Sequence, residues 1–255
     1  MGQDKTTLGD RMKAYEYASS THLMQGTPKI IRLDGKAFHT FLKNCQKPYD
    51  IKPMEAMIAG AIEVMKEIGG SARLAYIQSD ECSIVLNDSI SREFSPWFSN
   101  NIQKVVSVSS AIFTAAFNKK YNRADGKMGL FDARFFQVPH EEEMINNLIW
   151  RQSDATRNSV SQYARSFFSQ KELTGMNISE MQDMMMTKGF NWNNADTWTK
   201  RGIVINRNFT GVGDQQWDVD MQCPIFKDGK DYLRKRYHPI PDATATPQNV
   251  HSAQG

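Results

Sequence analysis

The segment "YIQSDECSIVL", residues 76–86, decides how the rest of the chain is read. Two apolar, β-prone runs, "RLAYIQ" and "CSIVLND", flank Ser79-Asp80-Glu81, so the segment reads as two strands joined by a tight connection. Adjacent carboxylates are ordinary in a solvated turn and costly in a core. The tip is therefore a solvated turn or a metal site, and the choice depends on where the chain places a further carboxylate.

Upstream, "KIIRLDG" (29–35) reads as a short buried strand ending in the turn signal Asp34-Gly35. Residues 53–68 form the clearest helix, with Met54, Met57, Ile58, Ala61, Ile62, Met65 and Ile68 on one stripe. Pro53 suits its first position, Gly69-Gly70 ends it, and its methionines read as core filler. Downstream, a helix is expected over 97–119, ending in Lys119, Lys120 and Arg123, followed by a strand over 131–138. The order strand, helix, strand, strand, helix, strand is that of an α+β, ferredoxin-like (βαββαβ) polymerase palm.

That topology makes the first and third strands antiparallel neighbours. Asp34, at the end of one, then meets Asp80 and Glu81, at the start of the other. Converging carboxylates repel unless cations lie between them. Mg²⁺ prefers such oxygen ligands and commonly shares them with phosphates, and two ions can serve an attacking hydroxyl and a leaving oxygen together. The following "DGKAFHTF" starts with a Gly-led turn able to present N–H groups to a triphosphate, with Lys36 and His39 as counter-charges. On the residues alone, the solvated-turn reading stays open.

The remaining segments complete the layout. A helix is expected over 11–24, and two more over 141–150 and 153–168. "SEMQDMMMTKG" reads as another, with Ser179 as N-cap and Met184, Met185 and Met186 in the core. "RGIVINRNF" and "WDVDMQCPIFKD" suggest a late strand pair. The chain is thus divided into a palm-like catalytic region (1–140), a mainly helical region packed on it as one unit (141–238) and a polar tail (239–255) read as disordered. Its 255 residues, 40% hydrophobic and 23% charged, suit a soluble globular protein. No apolar run approaches a bilayer span, so no membrane association is expected. Three scattered cysteines without metal-ligand spacing and the lack of an apolar N-terminal segment point to the cytoplasm. A net charge of +3 permits nucleic-acid binding without demonstrating it.

"IRLDGKAFHTF", "QKPYD", "YIQSDECSIVL", "FDARFFQVP" and "WRQSDATRNS" occur in this order between about residues 28 and 165, and "TKRGIV" follows. Together they resemble the tRNA-histidine guanylyltransferase family. The resemblance implies a palm-like domain with a helical region, assembled as a homotetramer (a dimer of dimers). It implies 3′-to-5′ nucleotide addition to tRNA, with GTP, ATP or other nucleoside triphosphates as substrates and two Mg²⁺ ions as cofactor. Carried over by motif, Asp34 and Asp80 would be metal ligands, Gly35 would add its backbone carbonyl, and Glu81 would support them. Asp34, Gly35, Lys36, Ala37, Phe38, His39, Lys47, Ser79, Asp80 and Lys104 match nucleotide-contacting positions. Arg134 matches the Arg of "FDAR".

One window departs from the family pattern. Members dedicated to histidine tRNA read H-I-N-N-L-Y-N where this chain has "TRNSVSQ" (156–162), keeping only Asn158. That places the chain with the Thg-like branch, which repairs 5′-truncated tRNAs on a template. Single-guanosine addition to histidine tRNA is the alternative. The same window reads as an amphipathic helix whose Arg151, Arg157 and Arg165 could touch an RNA backbone, with ion pairing the competing reading. A non-catalytic RNA-binding sheet displaying Phe131, Phe135 and Phe136, or a palm-fold nucleotide cyclase, are the other readings.

Overall fold

The computed structural model describes residues 7–89, 95–208 and 216–238. In chain order the elements are α1 (Leu8–Ala18), β1 (Lys29–Gly35), α2 (Phe38–Phe41), α3 (Ile51–Ile68), β2 (Ala72–Gln78), β3 (Glu81–Leu86), α4 (Ile102–Lys120) and β4 (Phe131–Gln137). They continue with α5 (Glu141–Phe167), α6 (Gln170–Leu173), α7 (Ile178–Thr187), α8 (Thr197–Arg201), β5 (Ile203–Arg207), β6 (Trp217–Asp220) and α9 (Lys230–Tyr237). The strands form one antiparallel sheet in the order β4-β1-β3-β2-β5-β6. Its first four strands have the expected ferredoxin-like arrangement. The late strand pair extends the same sheet beyond β2.

Strand alternation sorts residues onto two layers. Ile31, Leu33, Ala75, Ile77, Cys82 and Ile84 share a core with α3 and α4. Ile30, Leu74, Tyr76 and Val85 point the other way, into a core with α5 and α9. Being covered on both faces, β2 is buried along its whole length. A third cluster, of Val160, Tyr163, Ala164, Leu173 and Met185, joins the second half of α5 to α6 and α7.

Several boundaries differ from the sequence reading, each for a local reason. The first helix spans Leu8–Ala18 rather than 11–24, starting where Thr7 and Asp10 form a capping box. Helix α3 starts at Ile51, because Asp50 caps it by accepting the Lys52 N–H at 3.0 Å. Pro53 therefore lies inside the first turn, where no N–H is required of it. Helix α7 starts at Ile178 under an Asn177–Glu180 capping box, so Asn177 and not Ser179 is the cap. Met185 is buried, but Met186 is 54% exposed and is not core.

The expected helices 141–150 and 153–168 are one 27-residue helix, α5. The apolar stripe is interrupted at Arg151 and Gln152, which look like a break in sequence. Both are buried and satisfied from other elements. Arg151 pairs with Glu81 of β3, and Gln152 accepts the Phe226 N–H at 2.8 Å while donating to the Pro224 carbonyl at 2.9 Å. The tail read as disordered lies outside the described residues.

Helix α4 likewise starts five residues later than expected. Before it, Phe98, Ser99 and Asn100 all take left-handed φ values, 49°, 51° and 57°. A buried network holds this turn. Asp88 accepts from Lys29 Nζ at 2.7 Å, from Asn100 Nδ2 at 2.9 Å and from the Gly26 N–H at 2.9 Å. Lys29 and Asp88 are 1% and 3% exposed. Removing one member of such a pair strands the other charge in the interior. Asp88→Ala is therefore expected to cost about 3–5 kcal/mol of stability in urea titration, and Asp88→Asn less.

Candidate active site

The register of β1 and β3 builds the site. Asp34 lies directly opposite Glu81, and the Gly35 N–H donates to the Asp80 carbonyl at 3.0 Å. Glu81 is the first residue of β3, so the hairpin tip is Ser79-Asp80 alone. Ser79 has φ 50°, which turns the chain tightly enough to hold Asp80 beside Asp34. Strand β1 then hands over to a left-handed Ala37 and the short helix α2, anchored by Phe38. The Phe38 ring is buried against Phe41, Phe117 and Phe131, with centroids 4.7–5.5 Å away. Phe38 is thus chiefly a core anchor, and it presents its exposed neighbours Lys36, Ala37 and His39 at the surface.

The two neighbouring acids at the tip have different environments. Glu81 is held by a two-pronged Arg151 contact, Nε to Oε1 at 2.7 Å and Nη2 to Oε2 at 2.6 Å. Burial still raises its pKa, with the Arg151 hydrogen bonds and charge opposing that rise. Asp80 has no such cation: among the described residues, no lysine or arginine pairs with it. Burial raises its pKa, its own backbone N–H and the Ser79 hydroxyl oppose the rise, and the Asp34 charge adds to it. Asp34 is 37% exposed and meets Arg134 at 3.5 Å.

An under-neutralised Asp80, a neighbouring Asp34 and the Gly35 carbonyl make an oxygen donor set suited to a hard cation. Among the described residues no group of three or more His, Cys, Asp or Glu side chains forms a cage. A hard cation such as Mg²⁺ typically takes one or two carboxylates and completes its shell from water and phosphate, so Asp34 and Asp80 could hold one.

Two cavities open beside Asp80. One, of about 340 Å³, is lined by Asp34, Asp80, Glu81, Tyr49, Asn158 and Trp198, among others. The second, of about 440 Å³, is lined by His39, Lys47, Ser79 and Asp80 on one side and by Gln162 and Arg165 of α5 on the other. His39, Lys47 and Ser79 thus line a cavity that Asp80 also lines, and Asn158 lines the one shared by Asp34 and Asp80. Lys104 lines neither. It sits in the first turn of α4, at the Lys29 end of the sheet, and lines a separate surface groove with His22.

Arg151 also corrects an expectation. Its guanidinium is only 10% exposed, occupied by Glu81 and Asp154, and stacked 4.5 Å from the Trp150 ring centroid. It braces the site and is not offered to an RNA backbone. Arg157 is 57% exposed and pairs with Asp154 at 2.7 Å. Arg134 is half exposed between Asp34 and Asp132. Tyr49, Trp198 and Arg32 belong to the site or its floor and escaped the sequence reading. Arg32 lies opposite both Ser83 and Arg134, and its Nε and the Ser83 Oγ are buried with no partner among the described residues.

A family model described as tRNAHis guanylyltransferase matches residues 9–139. The tRNA(His) guanylyltransferase of Eremothecium gossypii is 27% identical over 214 residues, 75% of this chain and 87% of that protein. A bacterial tRNA(His) guanylyltransferase (Thg1)-like protein, solved in complex with ATP, is 38% identical with a TM-score of 0.84, covering 91% of this chain and all of the other. A similar structure in complex with GTP is 35% identical, with a TM-score of 0.79 over the same shares. The guanylyltransferase of Saccharomyces cerevisiae, at 22% identity and a TM-score of 0.66 over 76% of this chain and 91% of that one, shares the fold.

The contrast between the two acids is testable without any reaction. Burial favours protonated Asp80, so ionisation above its raised pKa costs stability that a bound cation returns. Asp80→Asn is expected to raise the metal-free Tm by about 2–4 °C, the shift of ~1 kcal/mol in a chain of this size, and to abolish any Mg²⁺-dependent increase. Glu81→Ala is expected to lose about 3 kcal/mol, because it strips both short hydrogen bonds from buried Arg151 and leaves it the longer 3.2 Å contact with Asp154. Thermal melts with and without Mg²⁺ separate the two.

Proposed function

The chain belongs to the tRNAHis guanylyltransferase family, and from that membership we propose that it is a template-dependent 3′-to-5′ nucleotidyltransferase that restores the 5′ ends of truncated tRNAs. The observation that carries this reading is the meeting of Asp34, at the end of β1, with Asp80, which no lysine or arginine pairs among the described residues, between two cavities. Structural relatives that hold ATP and GTP support nucleotides as the occupants.

The reaction has two stages. ATP activates the RNA 5′-monophosphate by transferring an adenylyl group to it and releasing pyrophosphate. The 3′-hydroxyl of the incoming nucleoside triphosphate then attacks the activated 5′ phosphorus, and AMP leaves. Two Mg²⁺ ions bound by Asp34, Asp80 and the Gly35 carbonyl would favour the hydroxyl's deprotonation and neutralise charge on the leaving phosphate. The Ser79 hydroxyl helps keep Asp80 ionised. Glu81 and Arg151 fix the tip against α5. His39 and Lys47 neutralise triphosphate charge in the second cavity. This division suits phosphoryl transfer, which depends mainly on positioning and charge.

Within α5, Thr156 stands where histidine-tRNA enzymes carry the motif His, and its hydroxyl donates to the Lys200 carbonyl at 3.2 Å. Tied to backbone, it supports an acceptor choice broader than histidine tRNA. The RNA-binding-sheet alternative is weakened by the burial of Phe131 and Phe135, each 6% exposed, which removes the aromatic platform it needs. We read the working unit as a homotetramer. Helix α1 supports association, since it buries none of its own residues and exposes Leu8, Met12, Tyr15 and Tyr17.

The decisive assay offers full-length and 5′-truncated tRNAs with ATP, labelled GTP and Mg²⁺. Extension of truncated tRNAs of several identities is expected. Extension of histidine tRNA alone would establish the guanylyltransferase alternative, and cyclisation without RNA a cyclase. Asp34→Ala and Asp80→Ala should each reduce addition on the order of 10³-fold while leaving tRNA affinity nearly unchanged.

A further inference from the structure

The two cavities at Asp80 are not independent. Ser79 and Asp80 of the hairpin tip line both, and across from them so do Gln162 and Arg165 of α5. Gln162 is committed, donating through Nε2 to the Pro48 carbonyl. Arg151, the other arginine of the first cavity, is occupied by Glu81 and Asp154. Of these two cavities, His39 and Lys47 line the second and not the first. Arg165 is exposed, and no ion pair occupies it among the described residues. It is the one arginine or lysine that lines both compartments.

A reaction joining two phosphate-bearing substrates at one phosphorus needs a compartment for each and a cation where they meet. A guanidinium suits that place. It stays charged at any working pH, and its five N–H groups in a planar fork can serve two oxyanions at once.

We propose that Arg165 is a catalytic residue, whose guanidinium contacts the nucleotide's triphosphate on one side of Asp80 and the RNA 5′ phosphate under attack on the other. The assignment rests on the polymerase reading above. In the transfer step the 3′-oxygen of the nucleotide bonds to the 5′ phosphorus and its proton passes to solvent. The bond from that phosphorus to the leaving phosphate breaks, and the electron pair departs on AMP, or on pyrophosphate when the RNA begins with a triphosphate. Arg165 holds the non-bridging oxygens through this change without gaining or losing a proton. The competing explanation is structural: Arg165 lies in the last turn of α5, where a cation favours the helix dipole.

Single-turnover GTP addition to a truncated tRNA bearing a 5′-triphosphate bypasses activation and isolates the step. Arg165→Ala is expected to slow the saturated rate by about 10²-fold and weaken Mg·GTP binding by about tenfold. Its Tm and tRNA affinity should stay near those of wild type. Arg165→Lys should recover GTP binding through its charge but little of the rate, lacking the fork. A saturated rate within about threefold of wild type in Arg165→Ala overturns the proposal, as does a rate loss that merely tracks a fall in Tm or in tRNA affinity. If the wild-type protein adds no nucleotide, the polymerase reading fails, and Arg165 is judged on equilibrium binding of Mg·GTP. Unchanged affinity in Arg165→Ala then removes the site as well.

Discussion

The candidate chemistry depends on one register. Strands β1 and β3 pair so that Asp34 faces Glu81 and the Gly35 N–H meets the Asp80 carbonyl. Because side chains alternate with a period of two, a slip of one residue would turn Asp34 and Ile30 to the α3/α4 side and drive Ile31 and Leu33 the other way. Ile31 and Leu33 are fully buried, so hydrophobic packing forbids the slip. The position of a polar pair at the sheet edge is thereby set by apolar residues along the same two strands.

Electrostatics then differentiates neighbours that the backbone places together. Asp80 and Glu81 are consecutive, yet alternation sends their side chains to different surroundings. Glu81 finds Arg151, which α5 carries across the sheet, whereas Asp80 finds, among the described residues, a hydroxyl, a backbone N–H and a second carboxylate but no paired lysine or arginine. The ion pair closes one acid off and ties the tip to α5. The other acid remains open to a ligand, and its burial makes it poorly stable as an anion without one.

The palm order was legible because each of its elements carries a strong local signal. β1 and the β2–β3 hairpin are short apolar runs ended by turn residues, and α3 has an uninterrupted stripe. The meeting of Asp34 with the hairpin tip followed from that order. The unity of α5 was not legible, since its polar interruption is satisfied by residues 70 or more positions away. The start of α4 was hidden for a similar reason: three non-glycine residues adopt left-handed backbone only because a buried network around Asp88 holds them. Arg165 was visible as one cation of an amphipathic helix, but its place beside Asp80 was not, and Tyr49 and Trp198 had no spacing to betray them. They reach the cleft through the packing of α5 and α8 against the palm, which no local pattern encodes.

Helix α5 is about 40 Å long at the usual rise per residue. Its first half is locked into the core by Met144, Ile145 and Leu148, and its second half forms a wall of the cleft. The backbone of that wall is set by buried residues, those of the first half together with Val160, Tyr163 and Ala164 in the second, and not by the wall's own exposed residues. Side chains along its outer stripe can change without moving the helix or disturbing the carboxylates opposite. Arg157 and Asn158, both exposed, are such positions. A rigid rod of this kind lets partner choice drift while the geometry of the reacting centre stays fixed, so the two properties are free to evolve at different rates.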